Sequence, residues 1–136
     1  LTNYISNGIK YADPDKVSRW IEIRARVEPR GNDRGESLVV EVRDNGLGIP
    51  ADARDKLFQR FFRAHEETVT GVEGTGLGLS IVRETVESVG GRAWADLSAS
   101  TESTFAFAIP LRRRSERPER SAAPATKAGA QQAELH

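Results

Sequence analysis

From Trp20 to Glu28 the chain reads WIEIRARVE, and from Ile21 onward apolar and charged residues alternate without a break. Ile21, Ile23, Ala25 and Val27 share one side, and Glu22, Arg24, Arg26 and Glu28 share the other. A period of two gathers apolar groups on one surface only in extended backbone, so this stretch is a half-buried β-strand. The loop PRGNDRGES follows, and SLVVEVRD at 37–44 makes a second strand, so residues 20–44 read as a hairpin. A lone two-stranded hairpin is marginal in water. The rest of the chain must therefore add strands and cover one face of the sheet.

RAWADLS and STFAFAIPL supply a second hairpin. The cover comes from segments with a longer period. In LTNYISNGIKYA, Leu1, Ile5, Gly8, Ile9 and Ala12 fall on one helical face and Asn3, Asn7 and Lys10 on another, before DPD at 13–15 breaks the helix. ADARDKLFQRFF reads as a short helix with an aromatic end. Residues 64–76 carry little apolar content and read as a mobile loop. Residues 77–89 read as a helix with Ile81, Val82, Thr85, Val86 and Val89 on its apolar side, stopped at Gly90. Helices on one face of a largely antiparallel sheet make a two-layer α+β sandwich. No internal repeat interrupts this order.

The 136 residues suit one core, and with 38% hydrophobic and 29% charged residues most of the chain can bury one. The exception lies beyond Leu111, where six basic residues meet three acidic ones in a stretch with one Leu and no aromatic residue. Such a segment cannot offset its ordering entropy, so 112–136 is expected to be a disordered tail and 1–111 the folded body. The arginines at its start read as a solvated charge run, so neither nucleic acid nor a membrane is an expected partner of this domain. No apolar run is long enough to span a bilayer. With no cysteine, disulfides and thiolate metal sites are excluded, and His65 and His136 are too few for a histidine-rich site. The sequence starts at Leu1 and contains no Met, so a piece of a longer protein is expected.

Two glycine-bearing stretches carry the chemistry. In DNGLGIP, Gly46 and Gly48 follow Asp44 at a strand end. Glycines there let backbone approach a flat ligand closely, and an Asp can accept a hydrogen bond from an amino group; a plain Asp-Asn-Gly turn is the alternative. In GTGLGL, Gly74, Gly76 and Gly78 open the second long helix. The spacing matches neither the dinucleotide fingerprint nor a P-loop, which leaves an anion site of backbone N–H groups at a helix N-terminus. Asn3 and Asn7 lie one turn apart, and side-chain amide oxygens are hard ligands that suit Mg²⁺; polar residues on a wet helix face are the alternative. Lys10, Arg60 and Arg63 can meet phosphate, or simply carry surface charge.

The order of NYISNGIKY, DNGLGIP, LFQRFFRA, GTGLGL and STFAFAIP resembles the ATP-binding catalytic domain of bacterial sensor histidine kinases. That domain belongs to a superfamily shared with DNA gyrase B, the Hsp90 chaperones and the MutL repair proteins. The resemblance covers residues 1 to about 111, and the aromatic-arginine box with GTGLGLSIV points to the kinases. It implies a Bergerat-type fold, a mixed, mostly antiparallel sheet with helices on one face. It implies ATP and Mg²⁺ as ligands. Asn7 matches the Mg²⁺ ligand, supported by Asn3, and Lys10 a phosphate contact. Tyr11 matches an aromatic beside adenine, Asp44 the reader of the adenine amino group, and Gly46, Gly48 and Ile49 the pocket wall. Arg63, and less closely Arg60, match arginines near the terminal phosphates, which makes Asn7 and Arg63 the residues nearest catalysis. Gly74, Thr75, Gly76, Leu77, Gly78 and Leu79 match the lid and phosphate-binding helix start, and Thr104 a threonine that fixes adenine through water.

The implied reaction is transfer of the γ-phosphoryl group to a histidine on a partner dimerisation domain. The parent kinase would be a homodimer, a response regulator would act downstream, and the site would lie in the cytoplasm, free or as part of a membrane-bound sensor. A superfamily ATPase driving conformational change and a non-enzymatic nucleotide-binding module are the rival readings. The chain departs from the family pattern by starting inside the first asparagine box, without the strand and helix that normally precede it and without the acceptor-bearing helices. Autophosphorylation by the chain alone is therefore not expected, nor is full stability. Glu102 stands where the family has a small residue, which should touch the hairpin rather than the site.

Overall fold

The structure is a computed structural model and describes residues 1–31, 35–65, 74–98 and 101–111. The expected tail, 112–136, lies outside the described residues, as does most of the expected loop, at 66–73.

Among the described residues four strands form one sheet: β1 (Ile21–Pro29), β2 (Glu36–Asp44), β3 (Arg92–Asp96) and β4 (Ser103–Leu111), in the order β1-β2-β4-β3. All three pairings are antiparallel, so no parallel pair contributes among the described residues and the expected mixed sheet is here purely antiparallel. β4 lies between β2 and β3, which makes β2 and β3 run the same way. The connection between them carries the 3₁₀ turn Ala51–Lys56 and the helix α2 (Gly78–Ser88). The expected helix over 51–62 is thus only this short turn.

The helix α1 (Thr2–Lys10) and α2 pack on the same face of the sheet, against a core of Tyr4, Val42, Leu57, Val82, Val86, Leu97 and Phe105. The inward row of α1 is Tyr4 and Gly8, which are buried, while Leu1 and Ile9 are exposed, a rotation from the expected face. Gly8 makes this possible: a Cβ there would come within 2.8 Å of Ile21 Cδ1. Tyr4 stacks near Phe105 and donates its hydroxyl to Ala106 O at 3.2 Å, and burial pushes its pKa up to about 12. On α2, Val82 and Val86 are buried and Ile81 and Val89 are exposed.

β1 is an edge strand, and its apolar side is less covered than its alternation suggests: Ile23 is 49% and Val27 53% exposed. The nine residues of α1 reach roughly 13 Å at helical rise, against about 30 Å for a strand of the same length. α1 therefore shields only the Ile21 end. The opposite face of the sheet carries charge ladders, including Arg26–Glu41 at 2.8 Å and Arg43 paired with Glu102. Glu102 thus belongs to the hairpin surface, as its position in the sequence implied. No helix among the described residues is long and apolar enough to cross a membrane.

Candidate functional site

A cleft of about 220 Å³ opens between α1, the Asp44–Ile49 loop, segment 62–65 and the start of α2. At one end lies the exit from β2. Asp44 is 7% exposed, and its Oδ1 accepts the Gly46 N–H at 2.9 Å. Burial holds its carboxyl above the usual range, opposed by the Gly46 hydrogen bond and then by the charge of Lys16. The loop is fixed from behind. Lys16 Nζ donates to Asn45 O at 2.6 Å and Thr101 O at 3.2 Å, while Asn45 accepts from Trp20 N and donates to Ser18 O. Asn45 therefore braces the turn and leaves Asp44 facing the cleft. Tyr11, Leu47, Gly48, Ile49, His65, Ser103 and Phe105 complete this end.

The other end is built from helix termini and long side chains. Asn3, Ser6, Asn7 and Lys10 project from α1, and Gly74, Thr75, Gly76, Gly78 and Leu79 bring in the N-terminus of α2. Asn3 Nδ2 donates to Gly78 O at 3.1 Å, tying the two helices. Arg63 lines the cleft on the segment between these ends.

Four residues expected at the site do not line it. Gly46 has a packing role: a Cβ there would sit 2.4 Å from Tyr11 O, so its glycine lets the loop press on the end of α1. Leu77 precedes α2, and its carbonyl accepts the Ser80 hydroxyl and the Ile81 N–H. Arg60 is turned outward into a two-point ion pair with Glu84, at 2.9 and 2.8 Å. Thr104 points to the charged open face beside Glu41 and Arg43. Successive strand residues face opposite sides, so one position decides the matter: Ser103, paired with Asp44 and 3% exposed, faces the cleft instead.

Sequence reasoning missed His65, which is 7% exposed. Its Nε2 lies 2.8 Å from Gly48 O, and its ring centroid lies 5.4 Å from that of Tyr11. A carbonyl only accepts, so Nε2 carries the proton. His65 lies in a polar stretch with no periodicity, and nothing local marked it as buried.

This arrangement meets its relatives in comparison. The family profile described as "Histidine kinase-, DNA gyrase B-, and HSP90-like ATPase" matches residues 1–113. The chain belongs to this family, as a histidine-kinase-type ATP-binding domain. It is 35% identical over 117 residues to the sensor histidine kinase WalK of Bacillus subtilis, covering 85% of this chain and 18% of that protein. It is 37% identical over 112 residues to the sensor histidine kinase AruS of Pseudomonas aeruginosa, covering 82% of this chain and 11% of that one. The chain thus spans less than a quarter of either relative. Among solved structures, the mycobacterial sensor histidine kinase MprB aligns with a TM-score of 0.58 and 28% identity, over 79% of this chain and 67% of that one.

Proposed function

We propose that this chain is the Mg·ATP-binding part of a sensor histidine kinase, and that its cleft delivers the γ-phosphoryl group to a histidine on a partner domain. The observation that carries the reading is the meeting, in one cleft, of a buried carboxylate with two cations, two asparagines and a helix N-terminus drawn from four separate stretches of sequence. Asp44 offers an acceptor fixed by Gly46 N–H, suited to the amino group of adenine. Tyr11, Ile49 and Phe105 offer the apolar walls a base needs. Lys10, Arg63 and the N–H groups that open α2 supply positive potential for the phosphates.

The donor set fits Mg²⁺. The described residues hold no cluster of three His, Cys, Asp or Glu, so the ligands from this chain would be amide oxygens. Mg²⁺ takes few protein oxygens and keeps phosphate and water around it. Asn7 would hold the ion, with Asn3 held in place by its bond to Gly78 O. When bound, the ion neutralises phosphate charge. The protein's own contribution is orientation and charge complementarity, the usual means of phosphoryl transfer. The acceptor histidine would come from the dimerisation domain of the parent homodimer, with a response regulator downstream, and the cytoplasm as the compartment that holds ATP.

The test is the parent protein with γ-labelled ATP. Label that is lost in acid and kept in base is expected, the behaviour of phosphohistidine. Steady release of inorganic phosphate with no labelled protein would replace the kinase reading with that of a superfamily ATPase.

A further inference from the structure

The segment between Phe61 and His65 is pinned at both ends. Phe61 donates its N–H to Gly76 O at 2.9 Å, beside the start of α2. Phe61 takes a left-handed φ of 65° there, and Gly76 has φ 69°; a Cβ on Gly76 would come within 2.7 Å of the Phe61 backbone. At the other end His65 donates from Nε2 to Gly48 O at 2.8 Å and lies against the Tyr11 ring. Arg63 sits midway along this strap, on the wall of the cleft. The strap is thus strung between the two glycine loops, and a buried histidine fastens its Gly48 end. Gly48 itself has φ 72°, so its carbonyl direction depends on a backbone conformation that few residues adopt.

We propose that His65 is a positioning residue for Arg63: by clamping the strap to the Gly48 carbonyl and the Tyr11 ring, it sets where Arg63 stands relative to a nucleotide whose base lies against the same loop. This rests on the reading of the cleft as an ATP site. His65 has no reason to touch phosphate itself. Its effect on ATP passes through Arg63, and its effect on the base is confined to the wall formed by Gly48 and Tyr11.

The experiment is a double-mutant cycle in the parent protein, read by calorimetric affinity for Mg·ATP and for adenosine, with melting temperature as a control for folding. His65→Phe keeps a ring against Tyr11 and removes the donor. Arg63→Ala in the unaltered chain is expected to weaken ATP roughly tenfold more than adenosine; in the His65→Phe background the same change is expected to cost under threefold. His65→Gln, which returns a donor of similar reach, is expected to restore most of the Arg63 effect. Arg63→Ala effects of equal size in both backgrounds would overturn the proposal, as would a His65→Phe chain with wild-type ATP affinity. Should His65→Phe fail to fold, His65→Asn, too short to reach Gly48, serves in its place with the same two outcomes. An unaltered parent protein that melts cooperatively yet binds neither ligand would instead defeat the nucleotide reading on which the proposal stands.

Discussion

The two ends of the cleft are built on different principles. At the Asp44 end, backbone presses on backbone: Gly46 lies where a Cβ would be 2.4 Å from Tyr11 O, Leu47 N–H donates to Tyr11 O at 2.9 Å, and Lys16 and Asn45 brace the loop from outside. At the other end, Lys10, Gly74 and Thr75 are exposed and a Cβ on Gly78 would make only ordinary contacts, 3.6 Å from Asn3 Cγ at the nearest, while Gly76 alone among the three glycines of that loop meets backbone closely, at Phe61. A rigid, desolvated end suits recognition of a flat base by shape and one hydrogen bond. An open, cationic end suits a phosphate chain that must remain reachable by a second reactant. Gly46 and Gly78 therefore do not share one role, and substitution separates them.

The largest effect should come from Gly46→Ala. The added methyl meets backbone oxygen with no flexible side chain to give way, and overpacking of this kind costs about 1–3 kcal/mol or more. A melting temperature several degrees lower, with adenosine and ATP affinities falling together, is expected in thermal denaturation and calorimetry. An undisturbed melting temperature would show that the base end yields more readily than its contacts imply.

Next is Asp44→Asn, which keeps shape but replaces an acceptor oxygen with a donor. Mispairing a buried polar group should cost about 1–3 kcal/mol in binding of adenosine and ATP alike, and selectivity for ATP over GTP should shrink. The same carboxylate predicts a pH dependence. Its pKa is raised, chiefly by burial, so it loses its charge on acidification sooner than an exposed Asp at about 4. Binding that needs the ionised acceptor should therefore weaken as pH falls through that raised value. The stability term has the opposite sign: with the folded pKa above the unfolded one, this group's favourable contribution is complete below the unfolded pKa and disappears as pH rises through the folded pKa. Adenosine titrations across pH 4–7 check the first; a flat profile would argue for a turn residue only.

Asn7→Ala tests the open end. Loss of an oxygen ligand should weaken Mg·ATP roughly tenfold while metal-free adenosine binding hardly changes. Equal losses for both ligands would make Asn7 structural. Smallest of all should be Arg60→Ala. The pair it forms with Glu84 is exposed on both sides, and such pairs contribute about 0–1 kcal/mol. ATP affinity should stay within twofold; a tenfold loss would bring Arg60 back to the phosphates.

Much of this molecule is legible without tertiary structure. The strand pattern of Ile21–Val27, the glycine loops and the asparagine row on α1 are local periodicities or spacings, and local backbone geometry is enough to produce them. The sequence alone therefore determined the order of the strands and of the two longer helices, the hairpins and the two loops that frame the cleft. What it left open was always a matter of phase or partner. Period two says that Ser103 and Thr104 face opposite ways, yet only the pairing of Ser103 with Asp44 decides which one faces the cleft. The helical period puts Leu1 and Ile9 together, yet the close fit of Gly8 on Ile21 turns Tyr4 inward instead. Arg60 and Arg63 are alike in sequence, and only the reach of Glu84 from α2 takes one of them away. His65 became part of the site because the chain folded Gly48 O and the Tyr11 ring against it. Contacts between residues distant in sequence are set by how elements pack, and no pattern within a single element carries that information.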